Sequence, residues 1–317
     1  MRKSSFLIRS AFIAMMTLFL LSCKYKEENN MEGFIEVTGG KVWYKIYGAD
    51  KKKVPLLILH GGPGASHDYL EPLSALADER PVIFYDQLGC GNSDRPDNDS
   101  LWTVERFVEE LKLVRSALKL ERVHLLGQSW GTMLAVEYLL REKPTGVLSL
   151  TLSAPYLNTK LWIEDQKEWI SQLPDSVRNT IEKCEESADY SSSAYQEAIQ
   201  DFYNLHVCRL DPWPECLLIS MEKMGIEVYT FMWGPSEFTM NGSLGNADVT
   251  DRLSELTVPV LFTCGEFDEA TPQTTAFYQS LLPDSELHVF AGASHEHHLE
   301  KSVEYNILLR NFIRKAE

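Results

Sequence analysis

The sequence predicts an α/β fold in which a mostly parallel sheet is covered by helices on both faces. Two observations lead to this prediction: short, nearly continuous apolar runs alternate with helical patterns, and this rhythm is interrupted only once. Such runs are typical of strands that are buried on both faces. The runs are "VPLLILH", "PVIFYDQ", "RVHLLG", "VLSLTLSA", "VPVLFTCG" and "ELHVF". A chain of 317 residues is long enough for one such domain with an insertion.

Other segments complete this fold. "FIEVTGGKVWYKIYG" alternates around a Gly-Gly pair and predicts a hairpin, and helical spacing of apolar residues predicts a helix near 103–118. Residues 157–245 are tryptophan-rich and contain no obvious sheet strand. We therefore expect this segment to form a largely helical cap on a core built from residues 33–156 and 246–317.

The first residues predict an export signal. A basic beginning precedes the apolar run "AFIAMMTLFLL", which is too short to span a bilayer and is typical of a signal peptide over residues 1–22. "LLSC" resembles a bacterial lipoprotein cleavage site, which predicts that Cys23 is lipidated and that residues 23–32 form a tether. The predicted location is the bacterial cell envelope, with the lipid as the sole membrane attachment. The alternative is an ordinary signal peptide with an incidental cysteine.

Composition excludes some partners. The net charge of −16 argues against nucleic acid, whose binding depends on Lys and Arg. No CxxC pair indicates zinc, and an odd number of cysteines after Cys23 leaves at least one unpaired within a monomer. Their pairing stays open. These cysteines are Cys90, Cys184, Cys208, Cys216 and Cys264.

Ser129 is the candidate nucleophile. It stands in "GQSWGT" between Gly127 and Gly131, where a predicted strand meets a predicted helix. This is the context that a nucleophile elbow requires, with glycines where neighbouring chains leave no room for a Cβ atom. The competing interpretation is a solvated turn.

A serine nucleophile needs a base and a group that orients the base. Asp268 and His295 follow the last two predicted strands, in the chain order Ser–Asp–His expected for this kind of site. Taken singly, Asp268 would be a helix N-cap and His295 a solvated histidine. His297 and His298 also follow the last strand, but their spacing does not fit the helical zinc motif, so no metal is predicted.

The developing oxyanion needs hydrogen-bond donors. "HGGPG" directly follows the strand "VPLLILH", where one backbone N–H is expected, and the residue after the nucleophile supplies the other. We therefore assign the oxyanion hole to Gly62 and Trp130. The alternative for "HGGPG" is a plain Gly-Pro turn.

With these residues in place, the chain resembles the proline iminopeptidase family of α/β-hydrolase serine peptidases, and within it the tricorn-interacting aminopeptidase branch. "HGGPG", "YDQLGCGNS", "GQSWG", "GPSEFTMNG" and "GEFDEATP" carry the resemblance. It implies an α/β-hydrolase fold and release of N-terminal residues, proline among them, from short peptides without a cofactor. Leu88 and Thr132 depart from the residues that many members have.

The resemblance also implies that Glu237 and Glu269 bind the substrate amine. A free N-terminus is a cation with N–H donors, for which carboxylates are natural acceptors. Without the resemblance, Glu237 would be a surface charge and Glu269 a first-turn helix carboxylate. Two rival functions remain open: an esterase-type hydrolase with the same triad, and a non-catalytic, peptide-binding surface lipoprotein. The preferred N-terminal residue and the oligomeric state also remain open.

Overall fold

The computed structural model describes residues 30–282 and 284–317. The predicted signal peptide, Cys23 and residues 24–29 of the predicted tether lie outside the described residues. Within them, eight strands form one sheet in the order β1-β2-β4-β3-β5-β6-β7-β8. The strands are β1 (Met31–Val37), β2 (Gly40–Tyr47), β3 (Leu56–Leu59), β4 (Val82–Tyr85), β5 (Val123–Gln128), β6 (Val147–Ser153), β7 (Val260–Gly265) and β8 (Glu286–Phe290).

The sheet is mostly parallel, which confirms the predicted fold class. Only the β1–β2 and β2–β4 pairs are antiparallel, and every other neighbouring pair is parallel. The predicted hairpin turns at Gly39, whose φ of 100° suits glycine. Each of the six apolar runs contains a strand, and β5 lies in the middle of the sheet with all six residues buried.

Helices cover both faces of the sheet. Thr103 caps the predicted first helix, because its hydroxyl accepts a hydrogen bond from the Arg106 N–H at 3.2 Å. The helices are α1 (Val104–Ala117), α2 (Trp130–Glu142), α3 (Thr159–Ser171), α4 (Asp175–Ser187), α5 (Ser193–His206), α6 (Glu215–Glu222), α7 (Ile226–Met232), α8 (Pro272–Ser280), α9 (His297–Glu300) and α10 (Ser302–Lys315). Short 3₁₀ helices span His67–Asp78, Asp99–Leu101 and Thr250–Glu255.

The interruption in the strand rhythm consists of helices α3 to α7, between β6 and β7. Part of it has a small apolar core of its own, in which Ile170, Ile181 and Phe202 are buried. The division into a core of residues 33–156 and 246–317 and a cap of residues 157–245 stays a prediction. No helix in the described part of the chain is long and apolar enough to cross a membrane.

The segment that leads into α7 is joined to two loops of the sheet. The Gly225 N–H donates to the Gly64 carbonyl at 2.7 Å in the loop after β3, and the Gly91 N–H donates to the Lys223 carbonyl at 3.1 Å in the loop after β4. A Cβ atom on Gly225 would lie 2.2 Å from the Gly89 carbonyl oxygen. The three backbones therefore meet without space for a side chain.

This contact predicts a steric penalty at Gly225. Gly225→Ala should lower the free energy of unfolding by about 1–3 kcal/mol, because the methyl group forces the backbones apart. Urea unfolding followed by circular dichroism measures the change. Gly245→Ala is the matched control, because a Cβ atom on Gly245 would lie 3.1 Å from its nearest neighbour, the Met240 carbonyl oxygen. Equal stability of the two variants would contradict the prediction.

Candidate active site

Ser129 occupies the turn between β5 and α2. Its φ of 53° and ψ of −123° are unusual for a residue with a side chain, and its N–H donates to the Ser153 carbonyl at 3.0 Å. A Cβ atom on Gly127 would lie 2.2 Å from the Gly131 carbonyl oxygen, and one on Gly131 would lie 2.2 Å from that of Leu59. The two glycines are therefore required by close packing, as the sequence predicted.

Thr132, one of the two departures from the family pattern, supports this turn. Its hydroxyl donates to the Ser129 carbonyl at 2.6 Å and accepts from the Tyr156 N–H at 3.0 Å. The other departure, Leu88, is fully buried in the core. Neither residue disturbs the geometry around Ser129.

Asp268 and His295 form a buried pair at the ends of β7 and β8. The His295 Nδ1–H donates to Asp268 Oδ1 at 2.7 Å, and Asp268 also accepts the N–H groups of Gly265 and Ala270 at 3.1 and 2.9 Å. Although burial raises the pKa of Asp268, the His295 charge and hydrogen bond lower it to about 2. The N-cap of α8 is Thr271, so Asp268 does not have the capping role considered as its alternative.

Burial lowers the pKa of His295, but Asp268 and then Glu269 raise it, to about 10 overall. Ser129 and His295 line the same cavity, and the Ser129 hydroxyl makes no capping bond to α2. Within the described residues no hydrogen bond joins this hydroxyl to the imidazole. In unliganded enzymes such bonds are often long and tighten only when substrate binds.

The other two histidines of "HEHH" have different hydrogen-bond partners, although His297 Nδ1 also lies 3.6 Å from Asp268 Oδ2. His297 Nε2 lies 3.0 Å from the hydroxyls of both Ser153 and Thr263, and the His298 Nε2–H donates to the Tyr69 carbonyl at 3.1 Å. Both rings are buried. In the described part of the chain, no group of His, Cys, Asp and Glu side chains has a metal-binding arrangement.

The two predicted oxyanion donors stand at adjacent loops. Gly62 lines the cavity after β3, and Trp130 is the first residue of α2, so helix geometry gives its N–H no partner. Neither N–H donates to another described residue. A Cβ atom on Gly62 would lie 2.5 Å from the Gly64 nitrogen, so the loop requires glycine here.

Gln87, from the loop after β4, joins these two donor segments. Its side-chain N–H donates to the His60 carbonyl at 3.0 Å, and its side-chain oxygen accepts the Trp130 indole N–H at 2.9 Å. Its backbone N–H also donates to His60 Nε2 at 2.9 Å. Burial lowers the pKa of His60, which keeps the ring neutral and able to accept this bond.

Glu237 and Glu269 line the same cavity as Ser129. The Tyr229 hydroxyl donates to Glu237 Oε2 at 2.9 Å, and Glu269 Oε1 lies 3.9 Å from His295 Nδ1. Among the described residues, Glu269 Oε2 has no hydrogen-bond partner. Burial raises the pKa of both carboxyl groups, and Glu237 raises that of Glu269 further. A cation placed between the two carboxyl groups would therefore favour their ionised forms.

The cavity has a volume of about 370 Å³ and is lined mainly by apolar and aromatic surface. The Trp162 ring meets the His295 ring edge to face, with centroids 5.9 Å apart. Tyr203 and Tyr229 add further aromatic surface. Apolar walls with a few convergent polar groups are typical of a small-molecule site.

Fold and geometry together define an α/β hydrolase with a serine at its nucleophile elbow. The family profile for the alpha/beta hydrolase fold matches residues 54–302. Proline iminopeptidases match the chain along nearly their whole length, so the chain belongs to the proline iminopeptidase family of serine peptidases and is an enzyme.

Individual relatives are similar along nearly their whole length. A proline iminopeptidase of Heyndrickxia coagulans is 48% identical over 89% of this chain and 98% of the relative. One from Lactobacillus helveticus is 38% identical over 89% of this chain and 97% of the relative. The crystal structure of the Mycobacterium smegmatis proline iminopeptidase superposes with a TM-score of 0.84 at 38% identity, covering 90% of this chain and 98% of that one.

The sequence analysis gave no role to some of the residues that form this site. Tyr229 and Trp162 belong to an aromatic-rich segment in which no pattern distinguishes them from core residues. Gln87 lies within the quoted motif "YDQLGCGNS", which could have drawn attention to it. Glu296 also lines the cavity, and its position beside His295 was the only signal. The five cysteines within the described residues are all free thiols.

The distance between Glu269 and His295 predicts a shift in the pH dependence of nucleophile activation. The charge of Glu269 raises the pKa of His295, so Glu269→Gln should lower that pKa and allow His295 to activate Ser129 at lower pH. The rate of Ser129 phosphonylation by a small uncharged fluorophosphonate, measured against pH, reports this pKa without needing an amine. Glu266→Gln, an exposed position on the same loop, is the control. An unchanged or upward shift would count against the prediction.

Proposed function

We propose that this enzyme is an aminopeptidase that releases N-terminal residues, proline among them, from short peptides with a free N-terminus. The observation that carries the proposal is the pair Glu237 and Glu269, which line the cavity of Ser129 and His295 and have raised pKa values. Their negative charge, when ionised, favours a cationic group on the carbon next to the carbonyl to be attacked. The names of the relatives support the same activity.

The proposed reaction passes through an acyl-enzyme. The Ser129 hydroxyl oxygen attacks the first peptide carbonyl while His295 Nε2 takes its proton, and Asp268 accepts the Nδ1–H bond. The backbone N–H groups of Gly62 and Trp130 stabilise the oxyanion. The C–N bond then breaks, and His295 returns the proton to the leaving amine. Water, deprotonated by His295, hydrolyses the ester and regenerates Ser129.

The amine anchor explains why an N-terminal proline fits. A protonated prolyl nitrogen carries two N–H donors and one positive charge, which matches two carboxylates through charge-assisted hydrogen bonds. Glu269 Oε2, which is buried without a partner, gains one in this arrangement. A blocked N-terminus offers neither the charge nor the donors.

The cap, residues 157–245, closes the cavity in this proposal. It contributes Trp162, Tyr203, Tyr229 and Glu237 to the walls, so the amine anchor combines one carboxylate from the cap with one from the core. A pocket closed beyond the first residue admits only the end of a chain. This arrangement supports an exopeptidase.

An esterase with the same triad is the second candidate. The apolar and aromatic cavity walls favour it, since they suit an uncharged acyl group. Two buried carboxyl groups would have no use in that reaction. Hydrolysis of simple acyl esters in preference to free aminoacyl substrates would support this alternative.

The proposed function is tested with a panel of Pro, Ala, Leu and Phe arylamides and with N-acetylprolyl arylamide. We expect hydrolysis of free substrates only, and no turnover by Ser129→Ala. Glu237→Gln should lower kcat/KM for prolyl arylamide about ten- to hundred-fold, because a hydrogen bond to a charged group is weakened.

Glu227→Gln removes an exposed carboxylate from α7 and should leave kcat/KM unchanged. Equal cleavage of blocked and free prolyl arylamides would refute the amine anchor. Fluorophosphonate labelling of Ser129 separates an active hydrolase from a non-catalytic binding protein, because a silent scaffold has no activated hydroxyl.

We further propose that the enzyme is a lipoprotein of the bacterial cell envelope. The basic start of the chain, its apolar run and "LLSC" support a signal peptide over residues 1–22 and acylation of Cys23. The polar segment "KYKEENN" would then separate the lipid from the folded domain.

Lipidation predicts labelling at one residue. In a bacterial host grown with an alkyne fatty acid, the full chain should carry the label and sediment with membranes, while Cys23→Ser should lose both properties. Cys184→Ser is the control, since that thiol lies within the folded domain. Label retained by Cys23→Ser, or absent from the unaltered chain, would overturn the lipoprotein proposal.

A further inference from the structure

Glu296 is a third glutamate on the cavity wall, and the triad and the amine anchor leave it without a role. It directly follows His295 and is only 5% exposed. Its backbone N–H donates to the Val207 carbonyl at 2.9 Å, which fixes it beside the end of α5. A buried carboxyl group in a substrate cavity needs a physical explanation.

The hydrogen bonding around Glu296 determines where its proton lies. Glu296 Oε2 and His298 Nδ1 are 3.5 Å apart, and each is buried without a hydrogen-bond partner in the part of the chain that the structure describes. His298 Nε2 must carry a proton because it faces the Tyr69 carbonyl oxygen. Burial lowers the pKa of His298 to about 3, so the ring is neutral and its Nδ1 is an acceptor.

A carboxyl proton on Oε2 satisfies both buried atoms at once. It points to His298 Nδ1, and the carboxyl group is then neutral. Burial raises the pKa of Glu296 to about 8; the His295 charge opposes the rise, and Asp268 and Glu300 add to it. Of the two oxygens, only Oε2 is sealed without a partner, so Oε1 is the one that faces the cavity as an acceptor.

Glu296 and Glu237 are held by different parts of the protein. Glu237 contacts Tyr229 of α7, whereas the Glu296 carboxyl group lies beside His298, which is bonded to Tyr69 of the core. With the substrate amine held by Glu237, the rest of the peptide extends past Ser129. The acceptor oxygen of Glu296, which is fixed next to His295 and not next to Tyr229, is then available to the leaving-group part of the peptide.

We propose that Glu296, as a neutral acid, accepts the N–H of the first peptide bond beyond the scissile one and so selects peptides over shorter leaving groups. This inference rests on the proposed function. Glu296 is a specificity residue here: it adds no charge to the site and takes no part in proton transfer.

The first test uses the unaltered enzyme and two substrates, prolylalanine N-methylamide and prolylalanine methyl ester, with proline release as the readout. They differ in the N–H that Glu296 Oε1 would accept. With the ester, Glu296 Oε1 has no N–H to accept, so kcat/KM should be about ten-fold lower for the ester than for the methylamide. Equal values for the two substrates would overturn the proposal.

The second test uses two variants. Glu296→Gln keeps both hydrogen-bonding roles of the protonated glutamate. Its amide N–H can donate to His298 Nδ1, and its amide oxygen can accept the substrate N–H. It should therefore keep the ten-fold preference for the methylamide. Glu296→Leu, which has no acceptor, should abolish that preference. Loss of the methylamide preference in Glu296→Gln would overturn the proposal. Retention of that preference in Glu296→Leu would overturn it as well.

Prolyl arylamide, which has no N–H beyond the scissile bond, keeps the two proposals separate. If neither it nor the methylamide is cleaved, the proposed function fails and this inference fails with it. If both are cleaved but methylamide and ester are equal, only the role of Glu296 fails. Should the Leu variant not fold, the substrate pair with the unaltered enzyme still decides.

Discussion

The backbone at Ser129 is the constraint on which the rest of the site depends. A residue with a side chain in this conformation costs about 1–3 kcal/mol, which the surrounding packing must offset. Here the offset comes from β5 in the centre of the sheet and from contacts so close that Gly127 and Gly131 exclude any Cβ atom. The turn at Ser129 also begins α2. The backbone conformation that positions the Ser129 side chain therefore also positions the Trp130 N–H.

The carboxyl groups around Ser129 show how position decides the behaviour of one chemical group. Although burial raises the pKa of Asp268, His295 and then His297 lower it to about 2, and two backbone N–H groups also donate to this carboxylate. Glu237 and Glu269 lack a cationic partner of their own, and burial raises their pKa values. The site thus holds one permanent carboxylate for the base and two carboxyl groups whose ionisation improves when a cation enters.

The sequence predicted the parts of the site that depend on chain order. Loops after parallel strands meet at one edge of a sheet, so Ser129, Asp268 and His295 could be grouped before any coordinates, and the glycine spacing indicated the tight turn. It did not assign Gln87, because the contacts of Gln87 with His60 and Trp130 join segments distant in the chain. Glu296 and Tyr229 were not assigned because no residue pattern separates them from structural residues. The choice of His295 over its two neighbours followed only from its order after β8, and it is now supported by the bond to Asp268.

The contact at Gly225 joins the segment before α7 to two loops that support the oxyanion hole. The segment before α7 is bonded to Gly64, two residues from Gly62, and to the loop that carries Gln87. The backbone hydrogen bonds that seat this segment on the sheet therefore end in the same two loops that carry Gly62 and Gln87. The position of α6 and α7 and the geometry of the oxyanion hole depend on one set of contacts.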